Sequence, residues 1–410
     1  MAHTIVDPRS GAGRYGVTRA RMAGAAAASS LLLLTGCGGA VAESSGGSSD
    51  DPFTIGLIAP VTGPVVAEGT ALQRGFDLAV EKINAEGGVL GQPVEVITVD
   101  DEANVTKSTQ LAQRLITQDQ VDFLFGTIPG DTAGAVAQVS NEAKVPFATA
   151  IMGDPPYCGE YFFPFGEPDQ TMLEGIVPRM LAEHGTNVAL VGSDYVFPRS
   201  FNAKARAMVE AAGGTVVLEE YSPLGTTDWQ PVVGKVAGAA PDWILSAVVG
   251  GDAVGLVTQA DQAGLLEGTG LTGISLIQDY YPSLTTRTEG MVLSGRYSDQ
   301  LEGAANEEFV AAFREAYDVQ DPIPSVAANA YEGVQAIARA VEKAGSTDGK
   351  AISEALAEET VQDGVFGNGS FTEDHFFVTD MKILQIGPGG AYQAIEELPA
   401  LDDLQQNSAC

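Results

Sequence analysis

The stretch Ile55-Gly56-Leu57-Ile58-Ala59-Pro60-Val61-Thr62-Gly63, followed by Leu72, Phe76, Ala79 and Ile83 within 70–85 and then by Gly87-Gly88, decides the fold. Residues 55–59 are an apolar run of strand length. The four apolar side chains after them recur at three- and four-residue intervals, the spacing of one helix face. The two glycines end that helix. A strand, a Pro- and Gly-bearing loop and an amphipathic helix make one unit of an α/β sheet.

Outward from this unit the same rhythm repeats. Strands are predicted at 94–99, 121–125, 145–150, 187–191, 215–221, 243–249 and 273–277, and helices at 106–118, 132–143, 200–212, 230–239 and 253–263. Such alternation predicts an α/β fold of two doubly wound parallel-sheet lobes. Ligands of these sheets bind outside the carboxyl ends of the strands, so the strand-to-helix loops are where chemistry is expected.

Composition narrows the function. The chain has 410 residues, enough for two domains. Its 54 acidic against 21 basic side chains give a net charge of −33, which excludes nucleic acid or an anionic membrane surface as partner. Three His and three Cys are too few for a zinc centre beside any other role, so no metal and no cofactor are expected. No G-x-S-x-G, P-loop or G-x-G-x-x-G follows a strand, and neither His184 nor His375 has a nucleophile beside it in sequence. No catalytic residue is predicted, and the chain is not expected to be an enzyme.

At the N-terminus Arg9, Arg14, Arg19 and Arg21 precede a 13-residue apolar run, 22–34, which is too short to cross a bilayer as a helix. It reads as a signal peptide. Leu34-Thr35-Gly36-Cys37 resembles the bacterial lipoprotein box, which implies removal of 1–36 and lipidation of Cys37. The mature chain then carries 17 basic and 53 acidic side chains, a net charge of −36. Residues 37–52 are Gly- and Ser-rich, a flexible tether holding a folded body on the outer face of the cytoplasmic membrane by its lipid alone.

Ile58-Ala59-Pro60-Val61-Thr62-Gly63, Gly69, LAVEKINAEGGVLG at 78–91 and Asp100-Asp101 resemble the opening of the leucine/isoleucine/valine-type solute-binding proteins of ABC importers. The likeness continues through Phe125-Gly126, Val145-Pro146, Thr226-Thr227-Asp228-Trp229, Pro241-Asp242, Glu289-Gly290-Met291 and Tyr331-Glu332-Gly333, and covers 53–397. Ser193-Asp194-Tyr195-Val196-Phe197-Pro198-Arg199 is similar to a segment of the branch that binds urea and short-chain amides. The resemblance implies a type I periplasmic-binding-protein fold. Its lobes are 53–170 plus 296–374 and 171–295 plus 375–398, with hinge crossings near 167–171, 291–297 and 371–377 and a tail at 399–410. It implies a monomer that captures a small polar solute, either an amino acid or urea or an amide, and delivers it to the transmembrane subunits of an ABC permease. The alternative is a ligand-sensing component on the same fold.

The same resemblance implies the ligand site. From lobe 1 it takes Gly130, Asp131 and Thr132, where a helix N-terminus favours carboxylate or carbonyl oxygens, together with Thr149 and Ala150. Gly130 stands where the family commonly has a donating Ser. Asp131 and Thr132 are equally suited to capping that helix. Lobe 2 contributes Tyr195, Phe197, Gly251, Asp252, Gln278, Asp279 and Tyr280, with the aromatics as a lid and Asp279, or else Asp252, as partner of a ligand ammonium. Once Cys37 is lipidated, Cys158 and Cys410 remain in a compartment where disulfides persist, and they are expected to pair.

Overall fold

In the computed structural model, residues 52–154 and 157–401 are described. The expected signal peptide, Cys37, most of the tether and Cys410 lie outside them.

The chain begins with β1 (Thr54–Ile58), α1 (Val66–Ala85), β2 (Glu95–Val99), α2 (Val105–Thr117), β3 (Phe123–Gly126), α3 (Gly130–Ala143), β4 (Phe147–Thr149) and β5 (Phe162–Pro164). These five strands form one parallel sheet in the order β2-β1-β3-β4-β5. Then follow α4 (Asp169–Glu183), β6 (Asn187–Ser193), α5 (Val196–Ala211), β7 (Thr215–Ser222), α6 (Gln230–Ala239), β8 (Trp243–Ala247), α7 (Gly251–Gln262) and β9 (Gly270–Gly273), with a second parallel sheet β7-β6-β8-β9. Both orders reverse at the first strand, between β1 and β3 and between β6 and β8. Loops at such a switch point diverge and leave a crevice.

After a short helix, α8 (Tyr281–Leu284), come β10 (Val292–Gly295), α9 (Ala304–Tyr317), α10 (Ser325–Ala344) and α11 (Gly349–Ala357). The chain closes with β11 (Thr360–Gly364), β12 (Gly367–Phe371), β13 (Phe377–Thr379), β14 (Met381–Ile386) and β15 (Tyr392–Leu398). The later strands make two antiparallel sheets, β10-β14-β15 and β11-β12-β13. α10 lies on α1, so this part of the chain returns to the first lobe, and Tyr317 Oη donates to the carbonyl of Arg74 at 2.9 Å.

The chain passes between the lobes ahead of α4, after β10 and between β13 and β14. Phe377 packs on Phe165, Phe366 and Phe371 and keeps β13 paired to β12, while β14 pairs with β10. One buried cluster ties all three passages. Arg296, 1% exposed, donates from Nε and Nη2 to Asn329 Oδ1 at 3.0 and 2.8 Å, and its guanidinium lies over Phe366 and near Phe377. Its Nε is 3.8 Å from Glu167 Oε1, while Asn329 Nδ2 donates to Glu167 Oε2 at 3.1 Å.

Three element predictions need correction. α1 starts at Val66 rather than 70, because Gly69 lets its first turn lie on the chain: a Cβ there would come within 2.1 Å of the Pro60 carbonyl oxygen. α5 starts at Val196 rather than 200, since Pro198 falls in the first turn, where its missing N–H costs nothing. The apolar run 273–277 is no strand. β9 ends at Gly273 and 274–276 forms a 3₁₀ turn, with the Ser275 hydroxyl bonded to Ser246 Oγ and donating to the Val248 carbonyl.

Candidate functional site

The loops at the two switch points face each other across a narrow cavity of about 30 Å³. Val65 precedes α1, Ile128 follows β3, Tyr195 follows β6 and Val249 follows β8, and all four line it. Most of the wall is apolar. Two carboxylates, Glu68 and Asp279, supply its charge, and no Lys, Arg or His lines it.

Glu68 sits in the first turn of α1 and is 4% exposed. Its Oε1 accepts from Tyr280 Oη at 2.6 Å and from the Gly250 N–H at 3.2 Å, while Oε2 has no partner. The Gly250 N–H also lies 2.8 Å from Tyr280 Oη. Burial pushes the Glu68 carboxyl above its ordinary value, against the pull of the Tyr280 and Gly250 hydrogen bonds. These contacts join the first lobe to the second. They depend on Gly250, whose φ is +66° and whose place would set a Cβ 2.6 Å from the Pro64 carbonyl oxygen.

Asp279 lies in a 3₁₀ turn, Gln278–Tyr280, and both its carboxylate oxygens are buried without a partner. Desolvation pushes its carboxyl well above the ordinary range, and the charges of Glu68 and Glu167 push it further. An apolar space walled by two carboxylates, three of whose four oxygens lack partners, is poised for a cation or a strong N–H donor, because a buried charge needs a partner.

The other expected site residues divide. Gly130, Tyr195, Phe197 and Tyr280 line the cavity with Asp279. Asp131 is in the first turn of α3. Its Oδ1 is buried without a partner, and its carboxylate reaches the backbone N–H of Val196 at the start of α5. Thr132 is turned inward, donating to the Pro129 carbonyl and bonded to Thr127 Oγ1. Thr149 Oγ1 donates to the Thr127 carbonyl, and the Ala150 carbonyl accepts from Asn329. These three fix the loops, and the cavity takes the next residues, Ile151 and Met152. Asp252 accepts from the N–H groups of Gly225 and Thr226 at 2.8 and 3.2 Å, a loop-holding role beside exposed Gly251. Gln278 Nε2 donates to the Tyr297 carbonyl. Cys158 is disulfide-bonded.

Sequence reasoning missed Glu68 and Met152. Glu68 had a signal: it lies four residues before Leu72, on the buried face of the same helix once that helix is extended by one turn.

A second cleft cluster lies where α4 begins. Asp154 and Asp169 each accept the other's backbone N–H, at 3.0 and 3.2 Å, and Lys204 of α5 pairs with both. Burial and the neighbouring Asp154 charge push the Asp169 carboxyl to about 7.

Residues 52–391 match the family described as periplasmic binding protein. A protein of Brucella suis called Leu/Ile/Val-binding protein homolog 7 is 26% identical over 333 residues, which cover 76% of this chain and 82% of the relative. The solute-binding protein of an ABC transporter from Rhodopseudomonas palustris BisB5, solved with 3,4-dihydroxybenzoic acid, superposes with a TM-score of 0.76 at 26% identity, over 86% of this chain and 97% of the other. The branched-chain amino acid transporter substrate-binding protein LivJ of Streptococcus pneumoniae, solved with isoleucine, shares the fold with a TM-score of 0.74 at 24% identity, over 86% and 99%.

Proposed function

We propose, from the premise that the chain belongs to the periplasmic binding protein family, that it captures a small solute with a protonated nitrogen between its lobes. It is a solute-binding protein of the ABC transport type and not an enzyme. The observation that carries the ligand class is the pair Glu68 and Asp279, three of whose four carboxylate oxygens are buried without partners against an apolar cavity.

In this reading the lobes close because the ligand binds the closed form better. With the cleft empty, closure brings two carboxylates together in a low-dielectric space. A nitrogen cation between them removes that repulsion and leaves the apolar body against Tyr195, Phe197 and Ile151. A neutral urea or amide would supply N–H donors without charge, so the unpartnered carboxylates support an ammonium over an amide. An aromatic acid would bring a third negative charge to a wall with no cation.

The closed body would then present its solute to the transmembrane subunits of an ABC permease, as a monomer held at the outer face of the cytoplasmic membrane by lipid on Cys37. Mass spectrometry of the membrane fraction tests the anchor, and an unmodified Cys37 refutes it. Cys410 is our choice of partner for Cys158, and a non-reducing peptide map that joins Cys158 elsewhere contradicts it.

A thermal-shift screen of the purified protein against aliphatic amino acids, amines, urea, short amides and small carboxylates tests the reading. A ligand at a hundred times its Kd adds about 2.7 kcal/mol to the native state. Shifts are expected with ammonium-bearing solutes, and a shift confined to urea and amides overturns the ligand class.

A further inference from the structure

We infer that the cavity takes a net-cationic amine, a protonated nitrogen on an aliphatic or aromatic body with no carboxylate of its own. This rests on the capture reading above and sharpens its ligand class.

One carboxylate facing a ligand ammonium would suit a zwitterion whose own carboxylate sits on a free helix N-terminus. Here a second carboxylate is built into the wall. Glu68 is 4% exposed, lines the cavity and leaves Oε2 without a partner, beside Asp279 with both oxygens unpartnered. With both carboxyls ionised, a single cation leaves such a pair with one negative charge, and a zwitterion leaves it with two.

The helix N-termini that would receive a ligand carboxylate already have carboxylates at them. The Val196 N–H at the start of α5 meets Asp131, which itself occupies the first turn of α3. Gly250, the residue that caps α7, gives its N–H to Glu68. An anionic group entering the cavity would find negative charge at the N-termini of α3, α5 and α7. Three aromatic rings, those of Tyr195, Phe197 and Tyr280, line the same space, and such faces favour an organic cation. Among the described residues no cluster of His, Cys, Asp and Glu could hold a metal ion, and the apolar wall does not suit one.

The test uses matched ligands that differ by one group: leucine against 3-methylbutylamine, phenylalanine against 2-phenylethylamine, and 4-methylpentanoate as the acid without the amine. Thermal shift and calorimetry on the purified protein are expected to show an amine binding at least tenfold more tightly than its amino acid, and no shift with the acid. In Glu68→Gln, verified as folded by circular dichroism, the preference for amine over amino acid should fall at least tenfold. A residue that only braced the lobes would lower both affinities alike, so an unchanged preference overturns the role of Glu68. Tighter binding of the amino acid to the native protein overturns this inference and leaves the capture reading standing. No shift with any amine or amino acid overturns both.

Discussion

Tyr280 Oη donates to Glu68 Oε1 over 2.6 Å, and the two residues belong to opposite lobes. Replacing Tyr280 by Phe keeps the ring and removes the donor. A hydrogen bond to a charged group contributes about 1.5–3 kcal/mol. Tyr280→Phe is therefore expected to weaken ligand binding roughly 10-fold or more, with little change in the melting temperature of the ligand-free protein. Calorimetry beside a melting curve separates the two, and unchanged affinity removes this bond from closure.

Gly250→Ala should act on the same junction from the other side. Its backbone, at φ +66° and ψ −155°, lies in a region open essentially to Gly alone, which costs another residue about 1–3 kcal/mol, and a Cβ there would meet the Pro64 carbonyl oxygen at 2.6 Å. The lobes would have to part locally. Small-angle scattering should show a smaller ligand-induced contraction than in the native protein; an equal contraction would refute the close approach.

Much of the frame could be read from the sequence, and the reasons are local. Residues 230–239 were predicted as a helix with the observed bounds, because Pro231 and the apolar Val232, Val233 and Val236 carry both the start signal and the period. Residues of the loops after β3, β4, β6 and β8 do come together at one cavity, since strand order fixes where a doubly wound sheet opens. What escaped were positions that depend on the facing lobe. Glu68 meets Gly250 and Tyr280 only because the second lobe brings them beside it, and no spacing within α1 reports that. Thr132, Thr149 and Asp252 carry the hydrogen-bonding groups a ligand would want, yet each spends them on nearby backbone or side-chain groups.

The cluster at the lobe passages carries stability. Removing one partner of a buried ion pair costs about 3–5 kcal/mol, because the other charge stays buried. Arg296→Met leaves Glu167, 1% exposed, without its cation. Urea titration should show a loss of that order, and Glu167→Gln added to Arg296→Met should recover part of it. A double variant as unstable as the sum of the singles would mean that the two side chains do not couple.

Asp169 predicts a pH effect. Its carboxyl is raised from the ordinary 3.8 to about 7, so between those values the native state holds a proton that the unfolded chain has lost. Its contribution to stability is complete below about pH 4 and is lost as pH rises toward 7. Asp154 and Lys204 are the charges that face it, with the Ser200 hydroxyl. In Asp169→Asn the fall in melting temperature between pH 5 and pH 8 should be shallower than in the native protein. Identical slopes would show that Asp169 does not titrate in this window.

The proposed capture rests on the carboxylates of the cavity wall, and calorimetry of Asp279→Asn measures their part most directly. With the amine or amino acid that binds the native protein, the variant is predicted to bind roughly 10- to 150-fold more weakly, the loss of one charged contact of about 1.5–3 kcal/mol. Its ligand-free melting temperature should be equal or higher, because an unpartnered buried charge has been removed. Unchanged affinity would contradict the claim that this cleft holds its solute by a nitrogen cation.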